Sequence, residues 1–396
     1  MTIETEKKKT RKNKEVVDEN VPLLPKSQES DTELHEFNGA SFSGAVFNLS
    51  TTVIGAGIMG LPACVKKLGM VPGLIAIVLT AFLTEKSVEF MLRFSRAGNL
   101  SSYGSLMGDA FGRYGKAVLE ICVVINNVGV LIVYMIIIGD VVSGTTSSGI
   151  HHSGILEGWF GVHWWTGRTF VLTFTTLAVF APLVSFKQIV HNIDNELEDS
   201  SWMHGVVRAS LTLCSSVYLL TSFFGFLLFG DDTLPDVLAN FDTNLGIPFG
   251  SALNDAVRFS YAAHLVLVFP VVFYALRVNI DGLIFTSSRR PLVVDNLRFA
   301  SITIALVGII FMGANFIPSI WDLFQFTGAT AAVCLGFIFP AAITLKDRHN
   351  IATKTDKILS VFMIVLAVLS NAVAIYSDAY ALINKNKHNV NDFLIR

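Results

Sequence analysis

Charge is what this chain is short of. Only 15% of its 396 residues are Asp, Glu, Lys or Arg, against about 25% in soluble domains. Apolar residues make up 52%, with 31 Phe among them, and mean hydropathy is +0.57. That composition excludes a single soluble core and points to a chain that crosses a bilayer many times. Catalytic signatures are lacking as well. There is no H-E-x-x-H, G-x-S-x-G, P-loop or Cys-x-x-Cys, so an enzyme reading has no residues to stand on. The four cysteines, Cys64, Cys122, Cys214 and Cys334, all fall in apolar segments. They read as small buried hydrophobes rather than a disulfide framework. No cofactor or metal is called for, and the net charge of −2 carries no signal for nucleic acid. The N-terminus is charged rather than apolar, so no cleavable signal peptide is expected.

What is present is a series of apolar runs of spanning length. They cover about Phe42–Val65, Pro72–Phe94, Ala117–Val141, Thr169–Phe186, Val206–Phe229, Leu253–Leu276, Phe299–Phe316, Ile320–Leu345 and Ile358–Ile383. The fold class is therefore all-α and polytopic, with about nine transmembrane helices and the termini on opposite sides. Residues 1–38 form a polar tail with Lys7, Lys8, Lys9, Arg11, Lys12 and Lys14, too poor in apolar surface to fold. Residues 39–385 make the transmembrane domain, and 386–396 a short non-cytosolic tail. With the N-terminus cytosolic, the cytosolic segments hold about 21 of the 29 Lys and Arg, as the positive-inside rule requires. The non-cytosolic loop before the sixth span carries Asp231, Asp232, Asp236 and Asp242. The loop 144–167 holds His151, His152, Trp159, His163, Trp164 and Trp165, read as an aromatic interfacial collar in preference to a metal site. Glu19-Asn20-Val21-Pro22-Leu23-Leu24 has the form of an acidic dileucine sorting signal, which favours a vacuolar or other endomembrane over the plasma membrane.

The first run is unlike a plain anchor. Asn48, Ser50, Thr51 and Thr52 precede Gly55-Ala56-Gly57-Ile58-Met59-Gly60-Leu61-Pro62. In hydrocarbon, non-helical backbone survives only where protein or a wet cavity surrounds it. The pattern predicts a helix that breaks near Gly55–Gly60 and turns freed backbone groups to a small polar ligand near the midplane. The rival reading is that the glycines merely let helices pack closely, which leaves the polar side chains unexplained. The spacing also spells G-x-G-x-x-G, but with no soluble strand before it and no βαβ pattern it is no dinucleotide fingerprint.

Ionisable groups at membrane depth are functional hypotheses. Glu85, Lys86 and Glu89 lie near the cytosolic end of the second span, with Glu89 and Arg93 spaced to pair on one helix face. Asn126 and Asn127 read as interhelical hydrogen-bonding groups. His264, mid-span beside Tyr261, is either a proton carrier or a neutral histidine bonded to a backbone carbonyl. Gln325, Thr327, Gly328 and Thr330, beside Trp321 and Asp322, either line a pathway or join helices.

The stretch Asn48–Pro62 resembles the opening helix of the amino acid/auxin permease family, which includes sodium-coupled neutral amino acid transporters and, more closely, plant vacuolar amino acid transporters. Asn195-Glu196-Leu197-Glu198-Asp199, Phe224–Gly230, Phe269–Arg277 and Phe326–Thr330 are similar to further family motifs. The resemblance implies a LeuT-type fold of eleven helices, ten of them in two inverted repeats, and secondary-active transport of amino acids, with membrane lipid as its surroundings. It implies a substrate site at Asn48, Ser50, Thr51, Thr52, Gly55, Ala56, Gly57, Met59 and Gly60, the backbone taking the α-amino and α-carboxyl groups. It also implies an ion site shared by Asn48 and Thr52 with the span of Tyr261 and His264. Aliphatic Val266–Val268 stand where sodium-coupled members use a hydroxyl, so the coupling proton is favoured and sodium is less so. One departure is large. After Pro182–Lys187, similar to the end of family helix four, the chain passes directly to His191–Asp199, similar to the segment after helix six. Helices five and six are expected to be missing, and the alternative function is a shortened, transport-incompetent isoform that regulates a full-length partner.

Overall fold

The computed structural model describes residues 41–395 apart from 101, 148–149, 186–201, 243–245, 247, 286–291, 293 and 318–319. The polar tail over 1–38 and the Asn195–Asp199 motif lie outside the described residues. A bilayer forces backbone groups to bond within the segment, and the described chain is accordingly helical almost throughout. The first span is a broken pair, α1 (Phe42–Val53) and α2 (Leu61–Leu68), joined through a 3₁₀ turn at Ala56–Gly60. Then come α3 (Met70–Gly98) and α4 (Tyr103–Ser143). A short hairpin follows, β1 (Gly144–Ser147) against β2 (Ile150–Ser153), then α5 (Ile155–Phe160). The helix α6 (Arg168–Phe174) continues through a π turn into α7 (Ala181–Ser185). After it stand α8 (Met203–Phe229), α9 (Gly250–Ile284) and α10 (Asn296–Phe316). The run α11 (Ile320–Thr327) to α12 (Phe339–Lys346) is linked by π turns, and α13 (Lys354–Ile395) closes the described chain. That last helix takes in residues 386–395, expected as a separate tail.

Seven of these helical stretches are long and apolar enough to cross a membrane, and the α1–α2 pair, bent by 55°, makes an eighth. The α11–α12 run has the length of the ninth expected span, although its helices are individually short. The hairpin in the His- and Trp-rich loop was not expected in an all-α chain. Its histidines meet separate carboxylates, His151 Nε2 lying 2.7 Å from Glu157 and His152 Nδ1 3.0 Å from Asp242. Beyond it, Trp159 donates its indole N–H to Asp255 at 2.8 Å.

The centre of the bundle is the second half of α4, where every residue from Leu131 to Val141 is buried. A helix that is apolar all round belongs inside, and α4 packs against α9, α10, α11 and α6. The outer helices keep an apolar face exposed instead, with Leu220, Phe224 and Leu227 on α8 and Val361, Val365 and Val368 on α13. Such patches on helices of spanning length face lipid. At one end of the bundle, Glu89 bonds Lys86 at 2.8 Å, while Arg93 turns to Asp356 of α13 at 3.0 Å. The expected Glu89–Arg93 pair is longer, 3.9 Å. Arg93 thus ties α3 to α13 rather than merely reaching into water.

Close approach of α4 and α11 depends on Gly129. A Cβ there would overlap the Thr327 methyl and lie 3.2 Å from Thr327 Cβ. Thr327 has little freedom to move aside, since its hydroxyl donates to the Leu323 carbonyl at 2.7 Å. Gly129→Ala is expected to destabilise the bundle by about 1–3 kcal/mol, read as a lowered melting temperature in detergent. Equal melting of the two proteins would show that this contact is not tight.

Candidate functional site

The break follows from local chemistry. Gly55 adopts φ −109°, ψ −164°, an extended residue between two helices, and Pro62 sits in the first turn of α2, where its missing N–H costs nothing. A Cβ on Gly55 would come within 3.1 Å of the Tyr134 hydroxyl, so a larger residue there would need that hydroxyl to give by a few tenths of an ångström.

Ending α1 in an apolar setting leaves carbonyls without helical partners, and three neighbouring side chains supply them. Tyr218 of α8 donates its hydroxyl to the Val53 carbonyl at 2.8 Å. His264 of α9 places Nε2 3.0 Å from the Ile54 carbonyl. Tyr261, one turn away on α9, donates to the Gly55 carbonyl at 2.9 Å. The thiol of Cys214 completes the row at the Ser50 carbonyl, 3.7 Å away. The carbonyl can only accept, so His264 Nε2 carries a hydrogen toward it; a neutral and a protonated imidazole both do this, and the bond fits either of the two expected roles. The Val53, Gly55 and Ser50 carbonyls also accept from the backbone N–H groups of Gly55, Ile58 and Ile54 at 2.9, 3.3 and 2.9 Å. Both their lone pairs are thus engaged, and the Ile54 carbonyl is the member of the row that keeps one for a further donor. The N–H groups of Ala56 and Gly57, in the first turn after the break, have no intrahelical acceptor by geometry. They mark the positive end of a helix axis.

The expected site residues separate into two groups. Gly55 and Tyr261 meet directly, and His264 bonds the neighbouring Ile54 carbonyl. Asn48, Thr52 and Gly57 lie on the exposed side of the broken span, and a Cβ on Gly57 would have nothing within 4 Å. Thr51 and Thr52 spend their hydroxyl hydrogens on their own helix, at the Phe47 and Asn48 carbonyls. Ser50 and Ala56 are buried, and the Ser50 hydroxyl has no partner among the described residues, so Ser50 is closed off from the open side. Met59 packs against the central cluster. Gly60 is buried beneath the Pro235 carbonyl and the Phe324 ring, each 3.6 Å from where its Cβ would be. Side chains at Trp321, Asp322, Gln325 and Thr330 lie outside the described residues. Tyr218 and Tyr134 were not singled out in the sequence. A tyrosine in an apolar span needs a partner for its hydroxyl, and that was the available signal.

A polytopic helical bundle with one broken span is the architecture on which membrane transporters build substrate sites. The chain matches the family described as transmembrane amino acid transporter protein over residues 38–191 and 149–383, and it belongs to that family. It is 57% identical to amino acid transporter AVT6A of Arabidopsis thaliana over 433 positions, covering 92% of this chain and 94% of that protein. It is 37% identical to AVT6C of the same plant, covering 91% and 98%. With human solute carrier family 38 member 10 it shares 22% identity over 83% of this chain and 34% of that protein.

If the carbonyl row holds the break open, Tyr218→Phe and Tyr261→Phe each remove one of the two hydrogen bonds at a carbonyl of the break, Val53 keeping the Gly55 N–H and Gly55 keeping the Ile58 N–H. Each is expected to cost about 1 kcal/mol, measured as a lower melting temperature in detergent. Two variants as stable as the parent would mean that water or another group serves those oxygens.

Proposed function

We propose that this chain is a secondary-active, proton-coupled carrier of neutral amino acids with a LeuT-type arrangement, placed in a vacuolar or other endomembrane with its N-terminus in the cytosol. The observation that carries the reading is the break at Gly55. It sets an N–H-rich helix start against a row of carbonyls, the two ends that suit a carboxylate and an ammonium group. Asn48, Thr51, Thr52, Ala56 and Met59 carry no charge, which favours a neutral substrate side chain. His264, with Tyr261 beside it and the Ile54 carbonyl as its partner, is the coupling residue of this reading, and Asn48 and Thr52 complete the ion site. The names of the Arabidopsis relatives support amino acids as the cargo.

A second reading is favoured by a specific observation: the chain lacks family helices five and six and regulates a full-length partner without transporting. The AVT6A alignment runs over 433 positions yet takes in 92% of 396 residues, so about 69 positions of the relative face no residue here. The family match also comes in two pieces, 38–191 and 149–383, which overlap just before the proposed junction. An open apolar groove of ≈ 700 Å³, lined by Phe170, Phe174, Phe259, Val266 and Leu267, lies between α6 and α9. Consecutive helices usually pack side by side, so a helix following α7 would be at home there.

Uptake of labelled amino acids into proteoliposomes across a pH gradient separates the two. The carrier reading expects gradient-driven uptake; none, from folded protein, leaves the regulatory reading. If His264 carries the proton, His264→Ala is expected to abolish the pH dependence while leaving exchange partly intact. Unchanged pH dependence would dismiss it.

A further inference from the structure

Beside the break, at the end of the bundle that bears the β hairpin, lies a second buried polar cluster. The segment 231–242 folds back over the broken span. Lys66 of α2 holds its start, donating to the Asp231 and Thr233 carbonyls. Asn240 braces it from within, bonding the Asp232 carbonyl and the Leu234 N–H at 2.9 Å each. The Pro235 carbonyl rests over Gly60, so the next residue, Asp236, stands at the edge of the site.

Asp236 is only 8% exposed. Its Oδ1 accepts from the Leu238 N–H at 3.0 Å, while Oδ2 is buried with no partner among the described residues. Charged groups face it from each neighbouring element. From α4 comes Asp140, already bonded by Arg168 of α6. From α9 come Tyr261, committed to Gly55, and Arg258. Arg258 gives Nη2 to the Ser153 carbonyl at 2.6 Å and keeps a buried Nε with no partner among the described residues. Asp255, lower on α9, takes the Trp159 indole. From β2, His152 is taken by Asp242, at the end of the segment itself. The void among Asp140, His152, Asp236 and Arg258 has no room for a water molecule.

A buried carboxylate with one bare oxygen is costly, and the simplest relief is a proton on that oxygen. We propose that Asp236 is a proton-binding site, and that the proton it holds keeps segment 231–242 seated as a roof over the break. Burial pushes the Asp236 carboxyl up to about 7; the Leu238 N–H opposes this, Asp140 adds to it and Arg258 opposes it. Lifting the segment returns the group to water and to an ordinary value of about 4. The seated form therefore binds the proton more tightly. Seating is favoured at acid pH and weakens as pH rises toward and through 7. Between about pH 4 and 7, each seating event moves one proton from the adjacent water onto Asp236 Oδ2. In the carrier reading, on which this role rests, closing the non-cytosolic side of the site thus captures a proton.

The test uses the whole chain in lipid nanodiscs and does not require transport. Hydrogen–deuterium exchange over 231–242, corrected for intrinsic rate, is followed from about pH 5.5 to 8. The parent is expected to lose protection with rising pH, by up to about tenfold per unit. Asp236→Asn, which stays neutral, is expected to keep high protection with no slope, and His152→Gln to keep the parental slope. A flat parent, a slope retained in Asp236→Asn, or a slope lost only in His152→Gln overturns the proposal. Should Asp236→Asn fail to fold, infrared titration of the parent decides: a protonated-carboxyl band that disappears as pH rises through 7 is expected, and its absence overturns the proposal. Loss of uptake with the slope intact sinks the carrier reading alone, whereas proton-driven uptake without the slope sinks this one alone.

Discussion

Everything at the centre of this protein depends on how an interrupted helix stays interrupted in hydrocarbon. An opened turn exposes peptide oxygens that lipid cannot serve. Here the debt is met by side chains from two other spans, at the Val53, Ile54 and Gly55 carbonyls in succession. The three donors are spread over α8 and α9, so the break is a tertiary feature rather than a local one. It persists only while those helices hold their depth and rotation against α1. Backbone N–H groups of Gly55 and Ile58 add a second bond at the Val53 and Gly55 oxygens, while the Ile54 oxygen has the imidazole alone. The opened turn is therefore rigid in outline, with the Ile54 carbonyl still able to accept from a ligand.

The scaffold around the break is graded to match. The fully buried half of α4 gives the bundle a fixed centre, and Tyr134, at one face of that stretch, closes against Gly55. Farther out, α8 and α13 expose apolar faces suited to lipid. Two sets of poorly hydrated polar groups lie close to the site, the break itself and the cluster of Asp140, Arg168, Asp236 and Arg258. The 231–242 segment joins them, since Pro235 covers Gly60 while Asp236 enters the cluster. A change of charge in the cluster is thus one residue away from the backbone of the site.

Much of this was legible in the sequence, for physical reasons. Apolar runs bounded by charges marked each span, and hydroxyls with three glycines in the first of them marked the break. His264 stood out because an imidazole in an apolar helix must find a partner. Less was legible where tertiary partners decide. The sequence does not show that Ser50 would be closed off while Thr52 stays open, because both lie on one helix and differ only in what packs beside them. Nor does it separate Asp236 from Asp231 and Asp232, which share its loop. Only the fold-back over Gly60 buries the one and leaves the others at the surface. The β hairpin between α4 and α5 was missed because its Thr- and His-containing strands are short and lie between apolar spans.

If the chain is a shortened form, as proposed, the groups that hold the break open are still present. The three donors that cap the break come from α8 and α9, which follow the junction near 187–191, and the roof segment lies between those two helices. None of the groups that hold the first span open belongs to a helix the chain is inferred to have lost. On that reading, the exposed face of Asn48, Thr52 and Gly57 and the groove between α6 and α9 are the surfaces the lost helices would have covered. A chain without the two helices would therefore keep half of a site with its backbone fully arranged, and lack the wall that encloses a substrate against it. An ordered half-site of that kind can still bind, but alternating access requires a second wall that moves against the first. Whether this polypeptide carries its substrate is thus decided by what covers that open face, its own chain or a partner's, more than by the chemistry of the break.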